Sequence, residues 1–232
     1  MPGKLIVIEG TDGSGKATQS KLLFEKLVRL YPNREFIKAE FPRYHHPMAY
    51  PVEAHLRGEF GDANQVGPFA SSLFYLVDQY AATRTDWPGY YSNNAVVVSD
   101  RYYTANLLHQ SSKLGTDQER DNYINWFHDL VDTKLEMPKP DLVLYLHVPS
   151  DVTEKLILSR VSGEVNQKTG IKNDIYEKDI RHQRRCKQLA LSLAEKEHWR
   201  VIQCAAGDNM RPVQDIHQDI LTAVLKILNE TD

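Results

Sequence analysis

The sequence predicts an α/β fold in which helices cover both faces of a parallel β-sheet. Short apolar runs alternate along the chain with longer segments of helical period. The runs are apolar almost throughout, which is typical of strands buried on both faces of a sheet. Strands that alternate with helices form parallel sheets with a helical layer on each side.

Five runs provide the predicted strands. The four clearest are "KLIVIEG" from Lys4, "AVVVSD" from Ala95, "DLVLYLHV" from Asp141 and "WRVIQC" from Trp199. A weaker fifth run, "REFIKAEF", starts at Arg34. We therefore expect a five-stranded parallel sheet that binds its ligands at the carboxyl ends of the strands.

The predicted helices are the segments in which apolar residues recur with helical period: 19–30, 69–84, 117–134, 151–161, 174–197 and 213–228. The last is the clearest, because its apolar residues fall on one face: Val213, Ile216, Ile220, Val224 and Leu228. The polar stretch "SGEVNQKTGIKN", residues 162–173, has no apolar period and contains Gly163 and Gly170. It predicts a mobile surface loop, or lid, between two helices.

Length, charge and cysteine content limit the class of protein. A chain of 232 residues favours one domain spanning residues 1–232. The formal net charge of −3 argues against a general nucleic-acid binder, which needs a basic face. No signal-peptide pattern or membrane-length apolar run is present, so we expect a cytoplasmic protein with no membrane partner. Cys186 and Cys204 have no metal-ligand spacing, and we expect reduced thiols without chemistry.

The stretch "EGTDGSGKATQ", residues 9–19, has the spacing of a phosphate-binding loop. It follows a predicted strand and opens a predicted helix, so backbone N–H groups and the helix N-terminus face an anion. An ordinary glycine-rich turn between a strand and a helix is the alternative interpretation. We expect the phosphates of a nucleoside triphosphate to contact this loop at Gly10, Gly13, Ser14, Gly15, Lys16, Ala17 and Thr18.

Ala17 stands where the loop motif has a Ser or Thr whose hydroxyl binds Mg²⁺. Mg²⁺ needs only one or two carboxylates besides phosphate oxygens and waters, so other residues can replace that hydroxyl. Asp12 in the loop and Asp100 at the end of a strand are the candidate metal ligands. Asp12 alternatively orients the acceptor or caps a local turn.

Several further stretches occur in the order and spacing of one enzyme family: "FPRY" from Phe41 with "LRGEFGD" from Leu56, "SSLFYLVDQYA" from Ser71, "DRYYTAN" from Asp100 and "NDIYEKD" from Asn173. With the loop and "PKPDLVLYLHVP", they cover most of residues 4–180. In these motifs the chain resembles thymidylate kinases. The resemblance implies a P-loop NTPase fold and phosphoryl transfer from ATP to dTMP, giving dTDP in dTTP biosynthesis. It also implies Mg²⁺ as cofactor and a homodimer, formed through the helix at residues 69–84.

The acceptor site needs cations, because a nucleoside monophosphate brings negative charge next to ATP. Arg43 and Arg101 both follow predicted strands and are candidates for this role. Arg101 alternatively forms a structural ion pair. The resemblance adds Tyr44 near the acceptor phosphate, Tyr75 stacking on the base, Asn106 at the base edge, and Tyr176 and Glu177 near the sugar and the phosphate shell. Tyr75 could equally be a core aromatic residue.

Phosphoryl transfer needs positioning and charge neutralisation, so no nucleophilic side chain is assigned. The resemblance implies a catalytic arginine in the loop or the lid, and the loop carries Ser14 at the corresponding place. We therefore expect Arg160 to supply it, ahead of the other cations in and after the lid: Lys168, Lys172, Arg181, Arg184 and Arg185. The predicted catalytic set is Asp12, Lys16, Arg101 and Arg160.

Three positions depart from the family pattern, and all of them concern the acceptor. Gln79 replaces an arginine that contacts the thymine oxygen, Ala105 replaces a small hydroxyl residue, and His109 replaces an aromatic residue that helps to exclude ribonucleotides. His109 is alternatively a packed histidine. The main alternatives to a dTMP kinase are therefore a kinase for dUMP or another nucleoside monophosphate, and a non-catalytic nucleotide-binding regulator.

Overall fold

The computed structural model describes residues 3–63, 65–87, 94–149, 152, 175–176 and 179–229. Its centre is a five-stranded parallel sheet with the strand order β2-β3-β1-β4-β5. The strands are β1 (Lys4–Gly10), β2 (Phe36–Glu40), β3 (Val96–Asp100), β4 (Leu142–His147) and β5 (Arg200–Gln203). The five predicted strands and the parallel sheet are confirmed.

Helices lie on both faces of the sheet, as expected. They are α1 (Lys16–Leu30), α2 (Tyr50–Leu56), α3 (Pro68–Thr85), α4 (Thr104–His109), α5 (Asp117–His128), α6 (Ile180–Lys196) and α7 (Val213–Asn229). Ile6 and Ile8 of β1 pack with α1 and α7, whereas Leu5 and Val7 belong to the core that contains residues of α3 to α6. Alternate strand residues therefore fill two separate cores. A short antiparallel ribbon, β6 (Ala205–Ala206) and β7 (Asn209–Met210), precedes α7.

Several element boundaries differ from the prediction. α6 begins at Ile180 and not at residue 174, because the Asp179 carboxylate accepts a hydrogen bond from the His182 N–H and caps the helix there. The predicted helix 117–134 ends in a π-helical stretch, Asp129–Lys134. α2 and α4 were not predicted, since helices of seven and six residues are too short to show a clear period. The predicted helix 151–161 (apart from Val152) and the lid 162–173 lie outside the described residues.

The carboxyl ends of β1 and β3 meet at one edge of the sheet. Ile8 is in register with Asp100, so the segments that follow the two strands start side by side. The phosphate loop follows β1, and Arg101 follows β3. Among the described residues, no helix is long and apolar enough to cross a bilayer.

Candidate active site

The loop after β1 is shaped by glycines. Gly10, Gly13 and Gly15 all have positive φ angles, which side chains with a Cβ rarely adopt. A Cβ atom on Gly10 would lie only 2.6 Å from Ser14 Oγ and 3.0 Å from the Leu146 carbonyl oxygen. The turn therefore accepts only glycine at this position.

The loop presents the N-terminus of α1 to the cleft. Gly15 caps α1 in the left-handed conformation, and no side chain caps the free N–H groups of the first turn. An anion bound there would accept hydrogen bonds from these groups and would be stabilised by the helix dipole. The structure thus supports the prediction of an anion site at the N-terminus of α1.

Lys16 lies in the first turn of α1, largely buried beneath the loop. Its ammonium group donates a hydrogen bond to the Thr11 carbonyl oxygen at 3.0 Å and lies 3.9 Å from Asp12 Oδ1. Burial and the neighbouring positive charge of Arg101 lower the pKa of Lys16 to about 8. A bound polyanion would stabilise the charged form of Lys16 and raise its pKa, so Lys16 can pair with phosphate.

Arg101 connects the two sides of the cleft. Its Nη2 donates to Asp12 Oδ1 at 2.8 Å, and its Nη1 donates to His109 Nε2 at 2.9 Å. Burial alone would lower the pKa of Arg101, but the carboxylates of Asp12, Glu9 and Asp100 raise it above the usual value. The guanidinium is therefore a permanent charge. Arg101 has a φ of 65°, which turns the chain away from the sheet directly after β3.

Asp12 is the negative partner of both cations. Desolvation would raise the pKa of its carboxyl group, but the positive charges of Arg101 and Lys16 lower it to about 2. Asp12 and Arg101 form an ion pair at 2.8 Å, as the alternative interpretation of Arg101 predicts. Because the Asp12 carboxylate is half exposed, it can exchange this partner for a ligand.

Sequence reasoning missed Glu9. Glu9 carries the carboxylate of β1 and is only 2% exposed. It accepts hydrogen bonds from the Thr104 hydroxyl and the Tyr102 N–H. Burial raises the pKa of Glu9, an effect that Arg101 and the Thr104 hydroxyl partly offset. A charged residue at the end of an otherwise apolar strand was the available signal. Glu9 anchors the start of α4 directly beneath the loop.

One cavity of about 390 Å³ contains both halves of the predicted site. The phosphate loop and residues of α3, α4 and α6 line this cavity. The predicted residues in its wall are Asp12, Gly13, Gly15, Lys16, Ala17, Thr18, Tyr44, Tyr75, Gln79, Asp100, Arg101, Asn106, His109 and Tyr176. Gly10 and Ser14 are buried in the loop and do not line the cavity.

Comparisons with known proteins identify the family. The family model for thymidylate kinase matches residues 8–220. The chain belongs to the thymidylate kinase family. It is 27% identical to a probable thymidylate kinase of Pyrococcus horikoshii, covering 97% of both chains. It is also 27% identical to a thymidylate kinase of Plasmodium falciparum, covering 99% of this chain and 93% of that protein.

The fold matches solved structures of the same family. A thymidylate kinase structure from Candida albicans superposes with a TM-score of 0.63 at 20% identity, covering 99% of this chain and 92% of that chain. The sheet and its flanking helices are those of the P-loop NTPase fold, as predicted. The protein is accordingly a nucleoside monophosphate kinase.

The structure does not place Arg43 in the cavity with the other predicted acceptor residues. Its Nε donates to the buried carboxylate of Asp78 at 2.8 Å, and its Nη1 donates to Asp86 at 2.6 Å. The Arg43 backbone N–H donates to Asp78 as well. Arg43 instead lines a neighbouring cavity between β2 and the end of α3. In the structure Arg43 forms an ion pair that fastens the segment after β2 to α3, and its contact with the acceptor phosphate stays a prediction.

Amide side chains from α3 and α4 line part of the cavity wall. Gln79 and Asn106 are both 2% exposed. Gln79 Oε1 and Asn106 Nδ2 have no hydrogen-bond partner among the described residues. The same holds for Oε1 of Gln110, a lining residue that sequence reasoning missed. Buried amide atoms without partners are costly unless a ligand completes them.

Tyr176 forms another part of this wall. Its hydroxyl accepts a hydrogen bond from Lys113 Nζ at 2.7 Å and lies 2.8 Å from His55 Nε2. Burial is the main reason that the pKa of Lys113 is lowered to about 8 and that of His55 to about 4. Tyr176 is thus held by α2 and the segment after α4, so its ring has a fixed place at the cavity. Arg160, Lys168, Lys172 and Glu177 lie outside the described residues.

Proposed function

We propose that this protein transfers the terminal phosphoryl group of ATP to dTMP and forms ADP and dTDP. The proposal rests on one cavity that is lined both by the phosphate loop and by the amide side chains of Gln79 and Asn106, with Arg101 in the same wall and bonded to Asp12 of the loop. A triphosphate on the loop and a nucleotide in the pocket would bring their phosphates together at Arg101. Such positioning and neutralisation of charge account for most of the catalysis in phosphoryl transfer.

The residues divide the work of the transfer. Lys16 and the N-terminus of α1 hold the donor phosphates, and Arg101 neutralises charge between donor and acceptor. When phosphates bind, the ion pair between Asp12 and Arg101 opens and Arg101 pairs with phosphate oxygens. The Asp12 carboxylate then faces the acceptor nucleotide. Ala17 offers no hydroxyl, so the loop binds phosphate through its backbone. We also propose that Arg160 supplies a further cation from the lid.

The donor set of the cleft is compatible with Mg²⁺. The carboxylates of Asp12 and Asp100 line the cavity beside the loop, and oxygen atoms are the ligands that Mg²⁺ prefers. These two side chains would hold the ion in place of the missing hydroxyl at position 17. When bound, Mg²⁺ neutralises charge on the transferred phosphate.

The unpaired amide atoms favour a thymine or uracil base. Gln79 Oε1 is an acceptor for the N3–H of these bases, and Asn106 Nδ2 is a donor to a neighbouring carbonyl oxygen. Cytosine presents an acceptor at N3, which would leave the oxygen of Gln79 unpaired. A site that hydrogen-bonds its ligand rejects an analogue without the matching group strongly. We therefore propose dTMP as the main acceptor and dUMP as its nearest competitor.

A substrate panel tests this assignment. We would measure ADP release from ATP and Mg²⁺ with dTMP, dUMP, dCMP, dGMP and UMP. We expect the highest kcat/KM with dTMP, and we expect Gln79→Met to lower the preference for dTMP over dCMP by at least about tenfold. Thr83→Ala is the control, because Thr83 lies in the same helix, does not line the cavity and donates its hydroxyl to the Tyr80 carbonyl oxygen. If dTMP were the poorest pyrimidine acceptor, the assignment would be wrong.

A non-catalytic regulator is the less favoured candidate. A regulator needs the phosphate loop but has no use for a charged residue poised between two nucleotide sites. Arg101 occupies that position and is held by Asp12 and His109. The membership in a family of kinases points the same way.

We further propose that the protein is a homodimer formed through α3. Apolar side chains form a stripe along its outer face: Phe69, Leu73, Val77 and Tyr80 are 46%, 48%, 45% and 36% exposed. Their spacing places them on one side of the helix, opposite the buried Asp78 and Gln79. An exposed apolar stripe of this kind indicates a protein interface. We also propose a cytoplasmic location, which suits the two free thiols, Cys186 and Cys204.

A further inference from the structure

Three side chains meet at the wall of the cavity next to Arg101. His109 comes from α4, whereas His182 and Cys186 lie one turn apart on α6. Their ligand atoms all lie within 4.8 Å of one another. Cys186 Sγ is 3.6 Å from His109 Nδ1 and 3.5 Å from His182 Nε2. The phosphoryl transfer proposed above uses neither His182 nor Cys186.

The separations are those of a tetrahedral metal site. Zinc bonds of about 2.3 Å to sulfur and about 2.0 Å to nitrogen place the two ligand atoms about 3.5 Å apart in a tetrahedron. Both sulfur–nitrogen separations already have this value. Only the two imidazoles need to approach each other.

Ser112 contacts all three residues of the cluster. Its hydroxyl donates to the His109 carbonyl oxygen at 2.9 Å, and its Oγ lies 3.3 Å from His182 Nδ1 and 3.2 Å from Cys186 Sγ. Because the hydroxyl proton is directed at the carbonyl oxygen, Ser112 Oγ can accept the Nδ1–H of His182. In that tautomer the lone pair is on Nε2, the atom 3.5 Å from Cys186 Sγ. Partners that hold a histidine in this way are typical of metal ligands.

We propose that His109, His182 and Cys186 form a binding site for a soft divalent metal ion of the Zn²⁺ type. Thiolate and imidazole ligands select zinc over magnesium, which prefers oxygen. All three residues line the nucleotide cavity, so the fourth coordination position faces the cavity and is open to water or a ligand. On binding, the metal replaces the thiol proton of Cys186.

Metal binding at this site opposes the hydrogen bond between Arg101 and His109. Arginine can only donate, so His109 Nε2 accepts and its proton resides on Nδ1, the atom that faces Cys186. When a metal binds Nδ1, the ring proton moves to Nε2. The Nε2–H of His109 then faces the Nη1–H of Arg101, and both groups are donors. Arg101 must then leave His109 and depend on Asp12 alone. Provided that the proposed function holds, zinc therefore slows phosphoryl transfer by displacing Arg101.

Metal titration of the nucleotide-free protein tests the site directly. With Co²⁺ as probe, we expect one equivalent to give the intense visible bands of a tetrahedral ion and a thiolate-to-cobalt charge-transfer band. Competition with a chromophoric chelator measures the affinity for Zn²⁺. Loss of a residue that hydrogen-bonds to a metal ligand typically costs 10–100-fold in affinity. Cys186 is itself a ligand, so we expect Cys186→Ser to weaken zinc binding by more than about 100-fold. His182→Gln should have a similar effect.

The second cysteine provides a matched control. Cys204 is also buried and free, but it lies in the other core, with Ile202 and Ile216. Cys204→Ser should keep the cobalt spectrum and the zinc affinity, and circular dichroism verifies that each variant is folded. If the wild-type protein gave no charge-transfer band, or if Cys186→Ser bound zinc as tightly as wild type, the site would be refuted.

The kinase assay then tests the coupling separately. We expect zinc to inhibit wild type and Cys204→Ser reversibly, and to inhibit Cys186→Ser at least about tenfold less at equal metal concentration. Equal inhibition of all three proteins would refute the coupling. A protein without any kinase activity would contradict the proposed function, whereas the cobalt and zinc titrations would still decide whether the site exists.

Discussion

At the scale of single residues, the cleft is a set of charges that restrain one another. Lys16 and Arg101 share Asp12, while Glu9 and Asp100 add negative charge beneath them. Each of these groups has a partner among the described residues, which avoids an isolated buried charge. In the proposed reaction, phosphate oxygens replace these partners. We therefore expect the reaction to begin with an exchange of ion pairs.

The lowered pKa of Lys16 makes this exchange visible as proton uptake. With a pKa of about 8 in the free protein, Lys16 is mostly neutral at pH 9, and the charge of bound phosphates restores its proton. Calorimetry of ATP binding at pH 9 in buffers of different ionisation enthalpy should show uptake of about one proton. Lys16→Arg is the control, because arginine stays charged and takes up none. Equal uptake by both proteins would contradict the assignment.

At the scale of elements, Arg43 and Asp78 join the segment after β2 to α3. Asp78 is 1% exposed and accepts two hydrogen bonds from Arg43, whereas Asp86 is 43% exposed and accepts one. Removing one partner of a buried ion pair leaves the other charge uncompensated. The two aspartates therefore differ in what they contribute to stability, although both bind the same arginine.

Substitution of the two aspartates tests this structural role. Asp78→Ala should lower the free energy of unfolding by about 3–5 kcal/mol. Asp86→Ala should change it by less than about 1 kcal/mol, since exposed ion pairs contribute little. Urea unfolding followed by circular dichroism measures both. Equal, small effects would contradict this structural role of Arg43 and Asp78.

The elements also show what the sequence can predict. The phosphate loop and β1 were predictable because their signals are local: an apolar run, glycines at fixed spacing, and a helix start. The ion pair of Arg43 was not predictable, because its partner Asp78 lies 35 positions away on another element. Glu9 was missed because its partners follow β3. The cluster of His109, His182 and Cys186 was missed for the same reason, since packing of α4 against α6 brings distant residues together.

At the scale of the whole molecule, the exposed apolar stripe on α3 predicts a homodimer. Val77→Glu places a charge in the centre of the proposed interface and should convert a dimer into a monomer. Val28→Glu is a matched control, because Val28 is similarly exposed, at 42%, on α1. Sedimentation velocity at micromolar concentration distinguishes the two states. A wild-type monomer, or a dimer that survives Val77→Glu, would contradict the proposed interface.

At the same scale, we propose that one cavity holds both nucleotides, the donor and the acceptor of the phosphoryl group. The most direct test is to incubate the protein with ATP, Mg²⁺ and dTMP and to quantify ADP and dTDP by chromatography. We predict that the two products form in equal amounts, that neither forms without dTMP, and that Lys16→Met lowers the rate by at least about 100-fold. ADP formed without dTDP, or ATP binding without either product, would contradict the claim.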